Sequence, residues 1–265
     1  MKVPVTFGQY VPVDSPVHSL DAKAKMGLVA AFTAALFLVD GPLGMVAAAA
    51  VVAAAVVLSR VPWRIALRGI RAVVMILMIT LAAHALRWNP ATVALVRVGP
   101  LAVDAAGLKE GLFFVVRIVL LVVGTSLLTL TTSPVALTDG LERIMRPLAR
   151  VRFPASEVAM MLTIALRFIP TTAQEAEKLI VAQTARGARF DAGGPIARAR
   201  AYAPVLVPLF VNLFRRADDL ATAMEARCYR GGVGRTRLHE SRMRPRDWAV
   251  LCLGTLVLAL VGITL

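Results

Sequence analysis

MGLVAAFTAALFLVDGPLGMVAAAAVVAAAVVL, residues 26–58, carries a single charged side chain, Asp40. One α-helix needs about 20 predominantly apolar residues to cross a bilayer, so this stretch is long enough for two. Asp40, Gly41 and Pro42 lie near its middle and are residue types that favour a tight turn. The stretch therefore predicts two membrane-spanning helices joined as a hairpin.

The composition of the whole chain supports a membrane protein. Of its 265 residues, 58% are hydrophobic and 17% are charged, whereas a soluble domain is typically about 45–50% apolar and roughly 25% charged. Intrinsic disorder is excluded by this hydrophobicity, and a disulfide scaffold by the presence of only two cysteines. The net charge of +14 does not indicate nucleic-acid binding, because long stretches carry no charge at all.

Three further weakly charged runs predict additional spans. They cover residues 72–86, 118–138 and 248–265, which brings the predicted total to about five transmembrane helices in an all-α polytopic membrane protein. The first run follows Lys23 and Lys25 without a small-residue cleavage site, so we expect no removed signal peptide.

Basic residues predict the orientation of these spans. Residues 59–71 contain four arginines and residues 131–246 contain 19 Lys/Arg against 10 Asp/Glu, whereas the 40–43 turn has no basic residue. Because basic loops stay in the cytoplasm, we expect a multi-pass protein of the inner (cytoplasmic) membrane with a cytoplasmic N-terminus. The predicted domains are 1–130 with four spans, 131–246 in the cytoplasm, and 247–265 as the last span. The outer loop, 89–110, contains Gly99-Pro100 and predicts a turn or hairpin.

The predicted cytoplasmic segment has the pattern of long amphipathic helices. Ser133-Pro134 is typical of a helix start, with serine as the N-cap and proline in the first turn. A second helix is predicted from Pro154 to Arg186-Gly187 with a kink at Pro170. A third is predicted after Gly193-Gly194-Pro195, with interruptions at Pro204 and Pro208.

The second and third helical stretches resemble two copies of one unit. With an offset of 41 residues, Pro154 matches Pro195 and Arg186 matches Arg227. Further matched pairs are Ala176/Ala217, Leu179/Leu220, Ala182/Ala223, Ala185/Ala226, Arg189/Arg230 and Glu177/Asp218. The repeat predicts two helices of about 30 residues, each reaching roughly 45 Å, that cross and present matched ends.

Those matched ends are the candidate site. Ala185-Arg186-Gly187 and Ala226-Arg227-Cys228 each place an arginine between small residues near a predicted helix C-terminus. Small neighbours allow close approach of another surface, and the guanidinium fork binds carboxylates or carbonyl oxygens in a groove. The alternative is an ordinary helix end, in which arginine complements the helix dipole and glycine supplies the left-handed cap.

The sequence resembles the EcfT family, the transmembrane coupling subunits of energy-coupling factor (ECF) vitamin transporters, over nearly its whole length. The matching segments are SPVHSLDAKAK at 15–25, LLTLTTSP at 127–134, LERIMRPL at 141–148, ALRFIP at 165–170, AQTARG at 182–187 and AMEARCYRG at 223–231.

The resemblance implies a non-catalytic subunit of a vitamin or micronutrient importer, without a cofactor, in complex with two cytoplasmic ABC-type ATPases and a membrane S-component that carries the substrate. It assigns Ala185, Arg186 and Gly187 to the groove of one ATPase, and Ala226, Arg227 and Cys228 to the groove of the other. Cys228 departs from the family's glycine. We therefore expect a left-handed cap to be less favoured at this helix end.

The residues themselves provide no nucleotide or metal site. No lysine is followed by Ser or Thr, so a Walker A loop is absent, and the histidines and cysteines lack metal-ligand spacing. The alternative function is a polytopic membrane enzyme whose acid/base groups are Glu157, Glu175, Glu177 or the Asp218-Asp219 pair. Their mixture with basic residues is more typical of solvated helix faces.

Four basic side chains have local explanations. His84 and Arg117 lie near predicted outer ends of spans, where we expect their side chains to extend toward the membrane surface. Arg215 and Arg216 precede Asp218 and Asp219, which predicts ion pairs within one helix.

Overall fold

A computed structural model of the chain describes residues 10–87, 94–98, 101–145, 147, 154–231 and 243–264. Within these ranges the backbone is mostly helical. The helices are α1 (Ala22–Leu38), α2 (Pro42–Ser59), α3 (Trp63–Ala66), α4 (Arg68–Ala85), α5 (Ala105–Thr131), α6 (Pro134–Met145), α7 (Ala155–Ala185), α8 (Pro195–Ala201), α9 (Ala203–Ala226) and α10 (Pro245–Thr264).

The all-α, polytopic architecture is confirmed. Among the described residues, four helices are long and apolar enough to cross a membrane: α2, α4, α5 and α10. The first predicted span forms α1, a helix of 17 residues that ends before the Asp40-Gly41-Pro42 turn. Four helices thus meet this measure, against about five predicted.

The boundaries predicted for the span at 118–138 are wrong at both ends. Helix α5 begins at Ala105, and therefore includes Lys109, Glu110 and Arg117, and it ends at Thr131. Ser133 then starts the next helix, where its hydroxyl accepts a hydrogen bond from the Ala136 N–H at 3.3 Å. A serine N-cap separates α5 from α6 because it satisfies an amide at the new helix start.

The strand pairing expected of a hairpin in the outer loop is confirmed and is part of a small antiparallel sheet, whereas the predicted turn at Gly99-Pro100 lies outside the described residues. Strands β2 (Ala94–Val98) and β3 (Leu101–Asp104) flank Gly99-Pro100, and β1 (Leu86–Arg87) pairs with the other edge of β3. Leu86 and Val96 are both in register with Val103, and a bulge interrupts the β2–β3 ladder between Ala94 and Val96.

The chain divides into two compact units. One, here called the membrane unit, comprises the described residues within Gly8–Gly140 and Glu240–Leu265. The other, the insertion unit, comprises those within Leu141–His239. The predicted domain boundaries at 131 and 246 remain predictions.

Helices α1, α2, α5 and α10 supply the core of the membrane unit. Phe32 and Leu36 of α1, Val52 of α2, Val123 of α5 and Leu258 of α10 are buried in one cluster. Helices α1 and α5 approach closely because α5 has a glycine at the contact: a Cβ atom on Gly124 would lie 2.7 Å from Phe32 Cε1. A small residue at this position lets two helices pack without a driving force from water.

Polar contacts close one end of the membrane unit and explain the 15–25 motif. The Lys25 ammonium is buried and donates to the carbonyl oxygens of Thr131 (2.9 Å) and His18 (3.2 Å). The Val11 N–H donates to the Leu130 carbonyl at 3.0 Å. The last carbonyls of α5 have no partner within their own helix, so the N-terminal segment supplies those partners.

The insertion unit contains the two predicted copies. The first is the continuous helix α7, which runs through Pro170. The second is divided at Tyr202 into α8 and α9. Pro204 lies in the first turn of α9, where proline is favoured. The interruption predicted at Pro208 is wrong, since this residue lies inside α9.

Candidate functional site

Helix α7 ends in a cap that fixes the position of Arg186. Arg186 is the C-cap residue, and Gly187 follows with φ +90°. The Gly187 N–H donates to the Thr184 carbonyl and the Ala188 N–H to the Gln183 carbonyl, both at 3.0 Å. These two bonds form a Schellman motif, which satisfies the final carbonyls and ends the helix at a defined residue.

Helix α9 ends in the same motif. Arg227 is its C-cap, the Cys228 N–H donates to the Glu225 carbonyl at 2.9 Å, and the Tyr229 N–H donates to the Met224 carbonyl at 3.0 Å. Cys228 has φ +58°, so it occupies the left-handed region that its match Gly187 also occupies. The expectation that the missing glycine would disfavour a left-handed cap here is wrong, because the two bonds of the Schellman motif impose this conformation.

All six predicted site residues are exposed. Ala185, Arg186 and Gly187 end α7, and Ala226, Arg227 and Cys228 end α9. We call these two groups the arginine ends. Among the described residues, no hydrogen bond or ion pair connects one arginine end to the other or engages either guanidinium. A positive charge at a helix C-terminus is stabilised by the helix dipole, and the exposed fork keeps its donors available for acceptors on another surface.

The two helices that carry the arginine ends are joined by a polar contact that the sequence did not predict. Glu175 of α7 accepts a hydrogen bond from the Asn212 amide of α9 at 2.6 Å and forms an ion pair with Arg216 of α9 at 3.3 Å. The Arg216 guanidinium also lies 5.9 Å from the centre of the Phe168 ring of α7. We call these four residues the helix clamp.

The clamp corrects the interpretation of two charges. Arg216 pairs with Glu175 on another helix, rather than with Asp218 or Asp219 on its own. Glu175, one of the candidate acid/base groups, is engaged in this contact, whereas Glu177, Asp218 and Asp219 are exposed to solvent.

The clamp lies at equivalent positions of the repeat. Glu175 and Arg216 are separated by 41 residues, the same offset that relates Arg186 to Arg227. Glu175 and Arg216 are therefore each 11 residues before the arginine of their own copy, about 16 Å along a helix. The sequence did contain a signal, since opposite charges occupy one register of the two copies.

Arg117 has a partner inside the membrane unit. Its Nη2 donates to the carbonyl of Val39, just past the end of α1, and its guanidinium lies 4.9 Å from the centre of the Phe113 ring. The Nε atom is buried without a hydrogen-bond partner. The expectation that this side chain extends to the membrane surface stays a prediction; the acceptor that it reaches is a carbonyl at the end of α1, just before the Asp40-Gly41-Pro42 turn. His84 forms a hydrogen bond within its own helix, between its Nδ1 and the Thr80 carbonyl at 2.9 Å.

In the described part of the chain, no three His, Cys, Asp or Glu side chains lie close enough together to hold a metal ion. The two cysteines, Cys228 and Cys252, are exposed and unbridged.

Comparisons with known proteins show a family relationship over most of the chain. The profile of the CbiQ family, described as cobalt transport protein, matches residues 14–239. The chain is 51% identical over 247 residues to a protein of Thermanaerovibrio acidaminovorans, covering 93% of this chain and 91% of the relative. It is 48% identical over 246 residues to one of Heliobacterium modesticaldum, covering 93% and 92%.

A third relative, from Thermosediminibacter oceani, is 47% identical over 245 residues and covers 92% of both chains. All three relatives are named energy-coupling factor transporter transmembrane protein EcfT. Identity at this level over almost the whole length establishes common descent, and the chain therefore belongs to the CbiQ/EcfT family of transporter membrane proteins.

Proposed function

We propose that this chain is the non-catalytic coupling subunit of an ATP-driven importer, and that it transmits motion from two cytoplasmic ATPases to a membrane S-component. The observation that carries the proposal is the pair of arginine ends. Two exposed guanidinium groups stand on identically capped helices, and the clamp joins those helices at one register of the repeat. A pair of equivalent ATPase subunits would require two equivalent contacts.

Each arginine end fits a groove on a protein partner. The residues flanking each arginine are small, so a partner surface can reach the guanidinium closely. A groove that presents carboxylate or carbonyl oxygens would satisfy its fixed fork of donors. Cys228 retains a small side chain in the same backbone conformation as Gly187, so both ends offer one shape.

A second surface of the insertion unit suits the S-component. Val207, Phe210 and Phe214 of α9 are 63%, 55% and 70% exposed, respectively. Their spacing of three and four residues places them on one face of the helix. Exposed apolar residues in such a stripe are typical of a surface that another protein or a membrane covers.

The proposed location is the inner (cytoplasmic) membrane, with the N-terminus and the arginine ends in the cytoplasm. Four arginines follow the end of α2, in the α2–α3 connection, in α3 and in the first turn of α4, and all are exposed, as expected for a basic segment at the cytoplasmic face: Arg60, Arg64, Arg68 and Arg71. The proposed domains are 1–130 and 247–265 in the membrane and 131–246 in the cytoplasm. Substrate recognition belongs to the S-component in this proposal, so the vitamin or metal is chosen outside this chain.

The test replaces both arginines in the intact complex. Arg186→Glu with Arg227→Glu would place carboxylates against grooves that accept cations, so we expect ATPase co-purification to fall by about a hundredfold or more, as for truncated buried charge pairs. Transport should be lost together with association, while the chain still inserts. The matched control is Arg198→Glu with Arg200→Glu, which reverses two exposed arginines of α8.

The outcomes separate coupling from general charge effects. Loss of both ATPase chains with the double variant of the arginine ends, and retention with the α8 control, supports the proposal. Normal assembly and transport by the first variant would refute it, as would equal losses by the two variants.

A further inference from the structure

A deep groove opens in the membrane unit between α1, α2, α5 and α10. Its volume is about 770 Å³, and its wall is almost entirely apolar. Each of the four helices contributes several lining residues, among them Leu28 of α1, Ala55 of α2, Leu128 of α5 and Leu253 of α10. The helical lining residues run from Lys25 to Phe32 in α1 and from Arg246 to Leu258 in α10, and they lie in the last halves of α2 and α5, so the groove opens at one end of the helix bundle and stops short of the other.

The length of this groove matches one leaflet of a bilayer. Along α10, its lining extends over the 13 residues from Arg246 to Leu258, about 18 Å of helix. The hydrocarbon core of a bilayer is about 30 Å thick, so a single leaflet provides roughly half of that. A transmembrane helix of a partner would cross both leaflets, whereas the groove ends after one.

The groove is polar and basic at one end only. Ser19, Lys25 and Arg246 line that end, and no acidic side chain is among the lining residues. Lys25 is held by two carbonyls, and the neighbouring Asp247 is buried and accepts the Arg244 N–H at 2.7 Å. The Arg246 guanidinium is exposed and donates to the Ser19 carbonyl at 3.3 Å, which leaves other donors available.

We propose that this groove binds an anionic phospholipid, with one acyl chain along the apolar wall and the phosphate at Arg246. Each part of the groove matches a part of the lipid: the basic end lies where the anionic headgroup would be, and the apolar wall is as long as one leaflet. Arginine binds phosphate oxygens through two parallel N–H donors, and basic residues at the membrane face attract anionic lipids. The bound lipid would complete the packing of four helices that leave this space between them.

The test measures retained lipid on the purified transporter by native mass spectrometry, after reconstitution with phosphatidylglycerol and phosphatidylethanolamine. We expect phosphatidylglycerol to be retained in preference. Arg246→Gln should weaken its retention about tenfold, the factor that corresponds to losing one charge-assisted hydrogen bond. Ala55→Phe should reduce retention of both lipids, because the larger side chain fills the groove.

The matched control is Arg64→Gln, which removes an exposed arginine that does not line the groove. Helix content and elution volume show that each variant is folded. Three results would overturn the proposal: equal retention of the two lipids, equal effects of Arg246→Gln and Arg64→Gln, or unchanged retention in Ala55→Phe. Cross-linking of a cysteine at position 55 to a partner protein's helix would also overturn it, because a protein would then occupy the groove.

Discussion

Glu175 is the acceptor that holds α7 to α9, and its replacement provides the sharpest test of the helix clamp. Glu175→Ala removes two contacts, the 2.6 Å hydrogen bond from Asn212 and the 3.3 Å ion pair with Arg216. A hydrogen bond to a charged group contributes about 1.5–3 kcal/mol. The ion pair contributes about 1 kcal/mol at most, because the two side chains are 21% and 36% exposed and solvent screens their attraction.

Together these values span about 1.5–4 kcal/mol, and the middle of that range is an expected loss of about 2–3 kcal/mol for Glu175→Ala. Glu175→Gln should cost less, about 1 kcal/mol, since a glutamine oxygen can still accept from Asn212. In a thermal unfolding experiment on the detergent-solubilised chain, each kcal/mol corresponds to roughly 2–4 °C in Tm. Glu175→Ala should therefore lower Tm by about 4–12 °C, and Glu175→Gln by about 2–4 °C.

The matched control is Glu177→Ala, an exposed carboxylate two residues further along α7. We expect its effect to be within about 0.5 kcal/mol of zero. A double-mutant cycle with Arg216→Ala then isolates the pair, with an expected coupling of about 1 kcal/mol or less. Equal destabilisation by Glu175→Ala and Glu177→Ala would refute the clamp.

Two further predictions concern the helix ends. Gly187→Ala should destabilise the end of α7 by about 1–2 kcal/mol, because φ is +90° at this residue. Cys228→Ala should be nearly neutral, because a Cβ atom is already accommodated there at φ +58°. Differential scanning calorimetry of the two variants measures the contrast, and equal effects would contradict it. Lys25→Met should lower stability by about 2 kcal/mol, since the Thr131 and His18 carbonyls lose their donor in a buried site, and an unchanged Tm would show that water replaces the ammonium.

The membrane helices were largely predictable because the bilayer imposes a strong rule on sequence. Uncharged runs indicated the helices, and the Asp40-Gly41-Pro42 turn was placed correctly between α1 and α2. The start of α5 at Ala105 is not predictable from the rule that a span is uncharged, because Lys109, Glu110 and Arg117 all lie inside this helix. Arg117 departs from that rule, because the Val39 carbonyl and the Phe113 ring receive its guanidinium. Such a partner lies 78 residues away in the chain and leaves no local pattern.

The arginine ends were also predictable, but only as positions. The repeat placed Arg186 and Arg227 at matched helix ends, and the structure gives both the same cap. The backbone of Cys228 was not predictable from residue preference, because glycine is favoured over cysteine at positive φ. The two hydrogen bonds of the completed Schellman motif outweigh the steric cost of a Cβ atom at positive φ.

The helix clamp shows why the repeat matters beyond its two ends. A local rule pairs Arg216 with the acids that follow it, and that rule failed because Glu175 offers a less exposed site on a second helix. Glu175 and Arg216 occupy equivalent positions in the two copies of the repeat. They can touch only if the two helices cross at equal distances from their arginine ends. The two arms beyond the clamp are therefore equal, about 16 Å each. A 10° change between the helices at the clamp would displace each arginine end relative to the other helix by about 3 Å. In the proposed coupling function, equal arms respond equally to two equivalent ATPases, and the clamp passes their movement from one helix to the other. A variant that weakens the clamp should therefore still bind both ATPases, because the arginine ends are intact, yet transport poorly.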